Sequence, residues 1–264
     1  MTISVIIRAR DEAASIGRCL SLVERDGVEA IVVDSGSRDD TVAIARRHGA
    51  RVVEIPHGSF SFGGALNLGA ANARGELLVA LSAHAFPPDV GWLARLTQPF
   101  GDPAVACACG ASYGPDGRPL SQRIVQDVEL ARRRPEWGYT NSAGAFRSEL
   151  WRRRPFRADL PACEDKEWAW HWLQQGFTCV VDPALMVDHD HTHDSLPSVY
   201  RRGRREAAGL SVFLDRPPYG PRELAREWWR DPGWHGSRLR ARLSPWRAAR
   251  LLGVYAGRRS RPND

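Results

Sequence analysis

Four groups of residues in this sequence have the types and spacing to do chemistry. Glu164 and Asp165 are adjacent acids at the head of an aromatic, helix-like run, "CEDKEWAWHWLQQGF" (163–177). A carboxylate so placed can take a proton from a substrate, or can simply favour the helix dipole. His84 follows the buried-strand pattern "ELLVALS" (76–82), in the stretch Ser82-Ala83-His84. Many phosphate-handling α/β enzymes hold a metal with an Asp pair at such a strand end. A His there can also ligate a divalent ion, although its nitrogen suits softer ions than Mg²⁺. "DHDHTH" (188–193) sets His189, His191 and His193 two apart, on one side of an extended segment. These could supply further ligands; a plain polar loop is the alternative. Arg8, Ala9, Arg10 and Glu12 follow the first apolar run, and Asp34 and Ser35 end the second. Arginines there can stack on a base, pair with phosphate or stand as surface cations. The Asp-Ser-Gly-Ser stretch has the composition of a turn with a helix cap.

The elements that must position these groups alternate. "ISVIIRA" (3–9) is an apolar run bounded by charge, as a buried parallel strand should be. "AIVVDSGS" (30–37), "RVVEI" (51–55) and "ELLVALS" read as three more strands. Between them lie helical patterns: residues 14–23, "TVAIARRHG" (41–49) and "GGALNLGAANARG" (63–75). Short alternation of this kind implies an α/β fold with a mostly parallel sheet covered on both faces. Ligands of such sheets bind at the carboxyl ends of the strands. The second half is less regular. "AVACACGASYG" (104–114) reads as a strand, 123–134 as a helix, and "NSAGAFRSELW" (141–151) as a tight turn leading into a helix. "TCVV" and its continuation (178–193) is strand-like. Helices separated by Pro-Gly loops are expected from Ser195 onward.

Composition narrows the class. At 43 % hydrophobic and 26 % charged residues the profile is globular, and no apolar run reaches membrane-spanning length. The N-terminus lacks the basic region of a signal peptide, so a cytoplasmic protein is expected. Five cysteines without a CxxC read as reduced, buried thiols rather than disulfides or a zinc site. Net charge is +6, and Lys166 is the one lysine among 37 basic residues. The surplus sits among tryptophans in residues 200–261. Candidate partners for it are nucleic acid, anionic lipid and a phosphorylated substrate. There is no recognised nucleic-acid module, and nucleic acid is not expected as a partner.

"SVIIRARDEA" (4–13), "VVDSGSRDDTVAIA" (32–45), "LNLGAANARGELLVALSAHAFPPDVGWL" (66–93) and "PACEDKEWAWHWLQQGF" (161–177), in this order, resemble family 2 glycosyltransferases. The likeness runs to about residue 210. "IPHGSFSFGGALNLGAA" followed by "SAHAFPPDVGWL" is most similar to the rhamnosyltransferase-like branch. The resemblance implies a GT-A fold and an inverting transfer of a sugar, rhamnose-like on dTDP or carried on UDP, to a hydroxyl acceptor in glycan or natural-product biosynthesis. It implies a domain over 1–210, with a nucleotide-binding half (1–100) and an acceptor half (101–210), followed by a basic helical extension (211–264). It assigns nucleotide-sugar binding to Arg8, Ala9, Arg10, Glu12, Asp34, Ser35, Asn67, Ser82 and Ala83. It assigns catalysis to Asp165, as general base, and Glu164. Ser82-Ala83-His84 takes the place of the family's DxD motif, whose last Asp binds Mg²⁺ or Mn²⁺. A divalent metal, Mn²⁺ rather than Mg²⁺, is then expected on His84, His189 and His191. Arg8 and Arg10 depart from the uncharged segment common in the family. A nucleotide-binding pseudo-transferase and a sugar-nucleotide nucleotidyltransferase are the alternative readings. The basic tail, with Trp246, Ala249 and Leu252 on one helical side, is a candidate for peripheral contact with the inner face of the cell membrane.

Overall fold

A computed structural model describes residues 1–56, 58–189, 194–216, 219–230 and 244–259. Its strands are β1 (Ile3–Ala9), β2 (Val28–Asp34), β3 (Arg51–Glu54), β4 (Leu77–Ser82), β5 (Val105–Cys109), β6 (Ile124–Gln126), β7 (Ala143–Arg147) and β8 (Thr178–Val181). Its helices are α1 (Ile16–Val23), α2 (Thr41–Arg47), α3 (Phe62–Ala71), α4 (Trp92–Thr97), α5 (Val128–Arg133), α6 (Ser148–Arg153), α7 (Glu164–Gln174), α8 (Leu196–Phe213), α9 (Pro221–Arg230) and α10 (Pro245–Arg259).

The strands form one sheet in the order β3-β2-β1-β4-β7-β5-β8-β6. β1 to β4 are parallel, with Arg8 opposite both Val33 and Ser82. Alternate residues of each strand face opposite layers. Val5 and Ile7 pack in one cluster with Ile16, Leu20 and Val23 of α1. Ile6, Ile31 and Val33 pack in the other with Leu66 of α3 and Trp168 and Trp172 of α7. This is the α/β sheet with two covered faces that the sequence implies.

Two strands depart from expectation. β7 lies between β4 and β5, antiparallel to both, where the sequence suggests only a turn and a helix. Its Ala-Gly-Ala core carries no β-branched signal. The small residues are needed, because a Cβ on Gly144 would stand 2.4 Å from the Thr140 carbonyl oxygen. β6 takes the first part of the run read as a helix over 123–134, and α5 the rest. The reversal of β7 matters for the site. The strand begins at the edge where β1, β2 and β4 end, so Thr140, Asn141 and Ser142 join that edge. The Ser82 N–H donates to the Ser142 carbonyl at 2.9 Å.

The chain divides into two compact units. One is Met1–Asp159 with Glu164–Asp190, and the other is Leu160–Cys163 with His191–Asp264. The sequence places the boundary at 210, but α8 groups with the C-terminal helices. In that second unit α8 and α10 approach at backbone distance. A Cβ on Gly253 would meet the Tyr200 carbonyl at 2.3 Å, and one on Gly257 the Arg204 carbonyl at 2.1 Å. Residues 191–264 hold 16 arginines against 7 Asp and Glu, which leaves the rest of the chain slightly acidic.

Candidate active site

The edge of the sheet begins at Asp34, the buried last residue of β2. Its Oδ2 accepts the N–H groups of Gly36 (2.9 Å) and Ser37 (3.0 Å), and its Oδ1 accepts the Ser37 hydroxyl. Gly36 can close this turn because its φ of 88° lies in the left-handed region. Ser35 is tied to the end of β1, donating from both N–H and hydroxyl to the Ala9 carbonyl. The loop after β1 is laced to the loop after β2. Asp11 Oδ1 accepts the Arg38 N–H at 2.7 Å, Asp39 Oδ2 accepts the Ala13 N–H at 3.0 Å, and the Glu12 N–H donates to Thr41 Oγ1 at 2.7 Å. Arg10 stands out on this loop, its side chain 65 % exposed and 4.0 Å from Asp11.

His84 is turned outward by its neighbours. Ala83 and Ala85 are buried, so the residue between them faces out, with 40 % of its side chain exposed. Its Nδ1 lies 2.7 Å from Glu12 Oε1. Burial pushes the Glu12 carboxyl up, but the hydrogen bonds from His84 and Ser15 outweigh it and hold it below its ordinary range. An ionised Glu12 fixes the His84 ring and puts its proton on Nδ1, which leaves Nε2 as the basic nitrogen. A two-residue bridge between Phe86 and Asp188 then brings His189 alongside. The two imidazoles stack with centroids 4.9 Å apart and planes at 29°. His191 and His193 lie outside the described residues.

Imidazole donors bind Mn²⁺ more readily than Mg²⁺, and later first-row ions such as Fe²⁺ or Zn²⁺ more readily still, so these rings fit a transition-metal ion in kind. Among the described residues no three His, Cys, Asp or Glu side chains converge on one point. Among the described residues the protein side of such a site is a ring pair backed by Glu12.

Further along the edge stands the acid pair. Asp165 Oδ2 accepts the Asn141 backbone N–H at 3.1 Å. Glu164 Oε1 lies 3.4 Å from Asn141 Nδ2 and 3.6 Å from Arg8 Nη1. Lys166 donates to the carbonyls of Gly138 and Tyr139. Three consecutive residues at the head of α7 thus grip the strand leading into β7. Burial first, then the charge of Asp165, push the Glu164 carboxyl up, while Arg8 opposes them. Cys163, just before the pair, holds a left-handed φ of 65°, a strained conformation of the kind found at working sites.

Two expected contacts are placed differently. Arg8 turns toward Glu164 and the Asn141 carbonyl, with its guanidinium 5.6 Å from the Phe62 ring, instead of out toward a base or phosphate. Asn67 is committed to the interior. Its Nδ2 donates to the Phe156 carbonyl, and its Oδ1 accepts from Trp151 Nε1 and the Phe156 N–H. With each polar atom of its side chain engaged, it holds α3 to the 156 loop. Asn141 enters the site without a sequence signal, since only the pairing of β7 with β4 brings it there; Lys166 follows the acid pair on α7.

A mostly parallel sheet covered by helices on both faces is the GT-A fold, which the solved structures below share. Residues 4–159 match the model of the family described as "Glycosyl transferase family 2", and the chain belongs to that family. Among curated relatives, the O-antigen chain rhamnosyltransferase RfbN of Salmonella typhimurium is 25 % identical over 213 residues, 73 % of this chain and 68 % of its own. A TPR repeat-containing protein of Synechococcus elongatus is 38 % identical over 81 residues, and an uncharacterized glycosyltransferase of Rickettsia felis 50 % over 54. These matches cover 31 % and 20 % of this chain, and only 20 % and 19 % of the two relatives' length. Two solved structures share the fold. Mannosyltransferase PcManGT from Pyrobaculum calidifontis, in complex with GDP-Man and Mn²⁺, has a TM-score of 0.67 at 19 % identity, covering 96 % of this chain and 84 % of its own. Glucosyl-3-phosphoglycerate synthase from Mycobacterium tuberculosis, in complex with Mn²⁺, UDP-Glc and glycerol 3-phosphate, has a TM-score of 0.61 at 24 % identity, covering 83 % and 82 %.

Proposed function

We propose that this chain is an inverting glycosyltransferase that moves a sugar from a dTDP- or UDP-linked donor to a hydroxyl acceptor. The carrying observation is the order of groups along one rim. Asp34, Arg8 and Ser82 lie at the ends of β2, β1 and β4, and Asn141 just precedes β7; at ~4.8 Å per strand the rim of these four neighbouring strands spans about 14 Å. The nucleoside lies at the Asp34–Ser35 end, with Arg10 and Glu12 beside it. The diphosphate lies at Ser82-Ala83-His84. The acceptor lies at Asp165, on the far side of the sugar. Asp165 takes the hydroxyl proton as the new bond forms, and Glu164 helps hold it. A divalent ion held by His84 and His189, with Mn²⁺ preferred, would offset charge on the departing diphosphate. The names of RfbN and PcManGT support a glycan substrate class, and that of RfbN supports a deoxysugar donor.

The test is the melting temperature with UDP, dTDP or GDP, each with Mn²⁺ or Mg²⁺. A nucleotide that binds only the native state raises it by mass action. At least one should do so, more with Mn²⁺, and His84→Ala should erase the metal's increment. No shift with any nucleotide would overturn the donor reading.

We further infer that the C-terminal unit meets an anionic membrane surface, which suits a lipid-linked acceptor. Its 16 arginines stand with Trp229 (65 % exposed), Trp246 (50 %) and Leu252 (49 %). Arginine beside exposed tryptophan is the composition of an interfacial anchor. Among the described residues no helix is long and apolar enough to cross a membrane. The protein should sediment with vesicles containing phosphatidylglycerol and remain free of pure phosphatidylcholine. Equal partitioning to both, or undiminished binding by Trp229→Ser/Trp246→Ser, would count against this surface.

A further inference from the structure

The acid pair is held by a ring of contacts that joins opposite halves of the site. Arg8 comes from the end of β1, Asn141 from the head of β7, and Glu164 and Asp165 from the first turn of α7. Arg8 Nη2 donates to the Asn141 carbonyl at 3.4 Å, Asn141 Nδ2 points to Glu164 Oε1 at 3.4 Å, and Arg8 Nη1 completes the circle to the same Oε1 at 3.6 Å. Asp165 is tied to this ring by one bond, from the Asn141 N–H to its Oδ2 at 3.1 Å, while its Oδ1 accepts the Lys166 N–H at 2.7 Å. Asn141 therefore sets the position of one of its two carboxylate oxygens.

The ring is under-satisfied. Asn141 is 99 % buried, yet its Oδ1 has no hydrogen-bond partner among the described residues, and neither has the buried Arg8 Nη1. Buried polar atoms are nearly always paired, and exceptions gather where function requires them. Long bonds at an empty catalytic centre commonly tighten when substrate arrives. Phe62 flanks the Arg8 guanidinium, and Lys166 fixes Gly138 and Tyr139 just before Asn141. The ring's outer supports are therefore rigid, while its inner contacts are loose.

We propose that Arg8 and Asn141 are positioning residues that aim the Asp165 carboxylate, so that a cation on the donor-side strand sets the geometry of proton removal from the acceptor. The proposal rests on the reading of Asp165 as base. Arg8 acts through Glu164 and Asn141. As the cation that faces Glu164, it opposes the burial that pushes that carboxyl up and so favours the ionised form, the better acceptor for Asn141. The other groups facing Glu164 are Asp165 on its own helix, which works against ionisation, and the Asn141 amide, which favours it.

The experiment has two arms. The first measures release of nucleoside diphosphate from UDP-glucose, GDP-mannose and dTDP-rhamnose, using whichever the protein turns over, in Arg8→Gln, Arg8→Lys, Asn141→Ala and Asp165→Asn. Arg8→Gln and Asn141→Ala should lower kcat about 10-fold or more with KM for the donor little changed. In Arg8→Gln the acid limb of the kcat profile should move to higher pH, and Arg8→Lys should move it back. The second arm needs no activity. Glu164 has a folded-state carboxyl pushed above its usual value of 4.5, so its ionisation costs stability increasingly as pH rises past that value. Removing Arg8 should enlarge that cost, so the Tm deficit of Arg8→Gln should grow with pH and vanish in the Glu164→Gln background. A pH-independent deficit, or one that persists in that background, overturns the ring. Loss of turnover in Asp165→Asn with normal kcat in Arg8→Gln and Asn141→Ala overturns the positioning role while the base reading stands. Normal turnover in Asp165→Asn overturns the base reading itself, whatever the melting curves show.

Discussion

At the β1–β2 end of the rim, carboxylates are saturated. Asp34 accepts three hydrogen bonds within its own turn, and Asp11, Asp39 and Glu12 stitch two loops together at 2.7–3.0 Å. At the β7–α7 end the contacts among Arg8, Asn141 and Glu164 are 3.4–3.6 Å, and two buried atoms are unbonded. The first end is finished by the chain itself. Its turn is formed before any ligand arrives, as suits a rigid nucleoside whose binding should cost little ordering. The second end carries buried charge and loose polar contacts that the chain does not complete. That suits a centre where interactions strengthen only as the transition state forms.

The contrast makes its largest prediction at the loose end. Asp165→Asn should lower turnover by about 10²-fold or more, the usual scale for loss of a general base, and should leave nucleotide affinity near the parental value. Thermal shift by the nucleotide and release of nucleoside diphosphate report the two separately. If nucleotide binding falls in step with turnover, Asp165 belongs to the donor end and the division between the ends is wrong.

The matching change at the saturated end should behave in the opposite way. Asp34→Ala removes the acceptor of the Gly36 and Ser37 N–H groups; Gly36 is exposed and Ser37 half-buried, so water partly replaces it and the loss is about 0.5–1.5 kcal/mol. We expect a lower melting temperature and nucleotide affinity weakened about 10-fold, with turnover at saturating donor much less affected. Asp34→Asn keeps an acceptor oxygen and should recover part of both losses. Unchanged affinity in Asp34→Ala would place the nucleoside elsewhere on the rim.

The sequence showed the saturated end well and the loose end poorly, for physical reasons. Hydrophobic runs ending in Asp-Ser-Gly-Ser carry their own turn chemistry, so β1 to β4 and the Asp34 turn are legible from local signals. Ser82-Ala83-His84 is legible too, because buried alanines on either side leave only the histidine facing out. β7 is different. Its Ala-Gly-Ala core is chosen by close backbone packing, which erases the β-branched signature, and its antiparallel course comes from pairing with β4, a long-range fact. Asn141 inherits its place from β7. The direction of Arg8 depends on a buried acid 156 positions away, so its charge was visible but its partner was not. Asn67 is the converse case: a polar residue at the right spacing whose side chain bonds into the interior.

The smallest expected effect tests whether the lacing at the saturated end adds stability as well as shape. Asp39 bridges the loops, accepting from Thr41 on one oxygen and from the Ala13 N–H on the other. The Thr41 hydroxyl first, then the Ala13 N–H, hold its carboxyl below the ordinary 3.8. A carboxyl lowered in the folded state contributes stability above its unfolded value and loses it as pH falls through the folded value. Asp39→Asn removes the charge and leaves one acceptor oxygen where the carboxylate uses two, and the site is open to solvent, so screening keeps the effect small. The variant should therefore melt slightly below the parent at pH 6–7, and the two curves should merge as pH falls well below about 4. A Tm difference that stays constant down to the acid limb would mean that the bridge acts through shape alone, and the saturated end would owe its rigidity to Asp34 and the backbone turn.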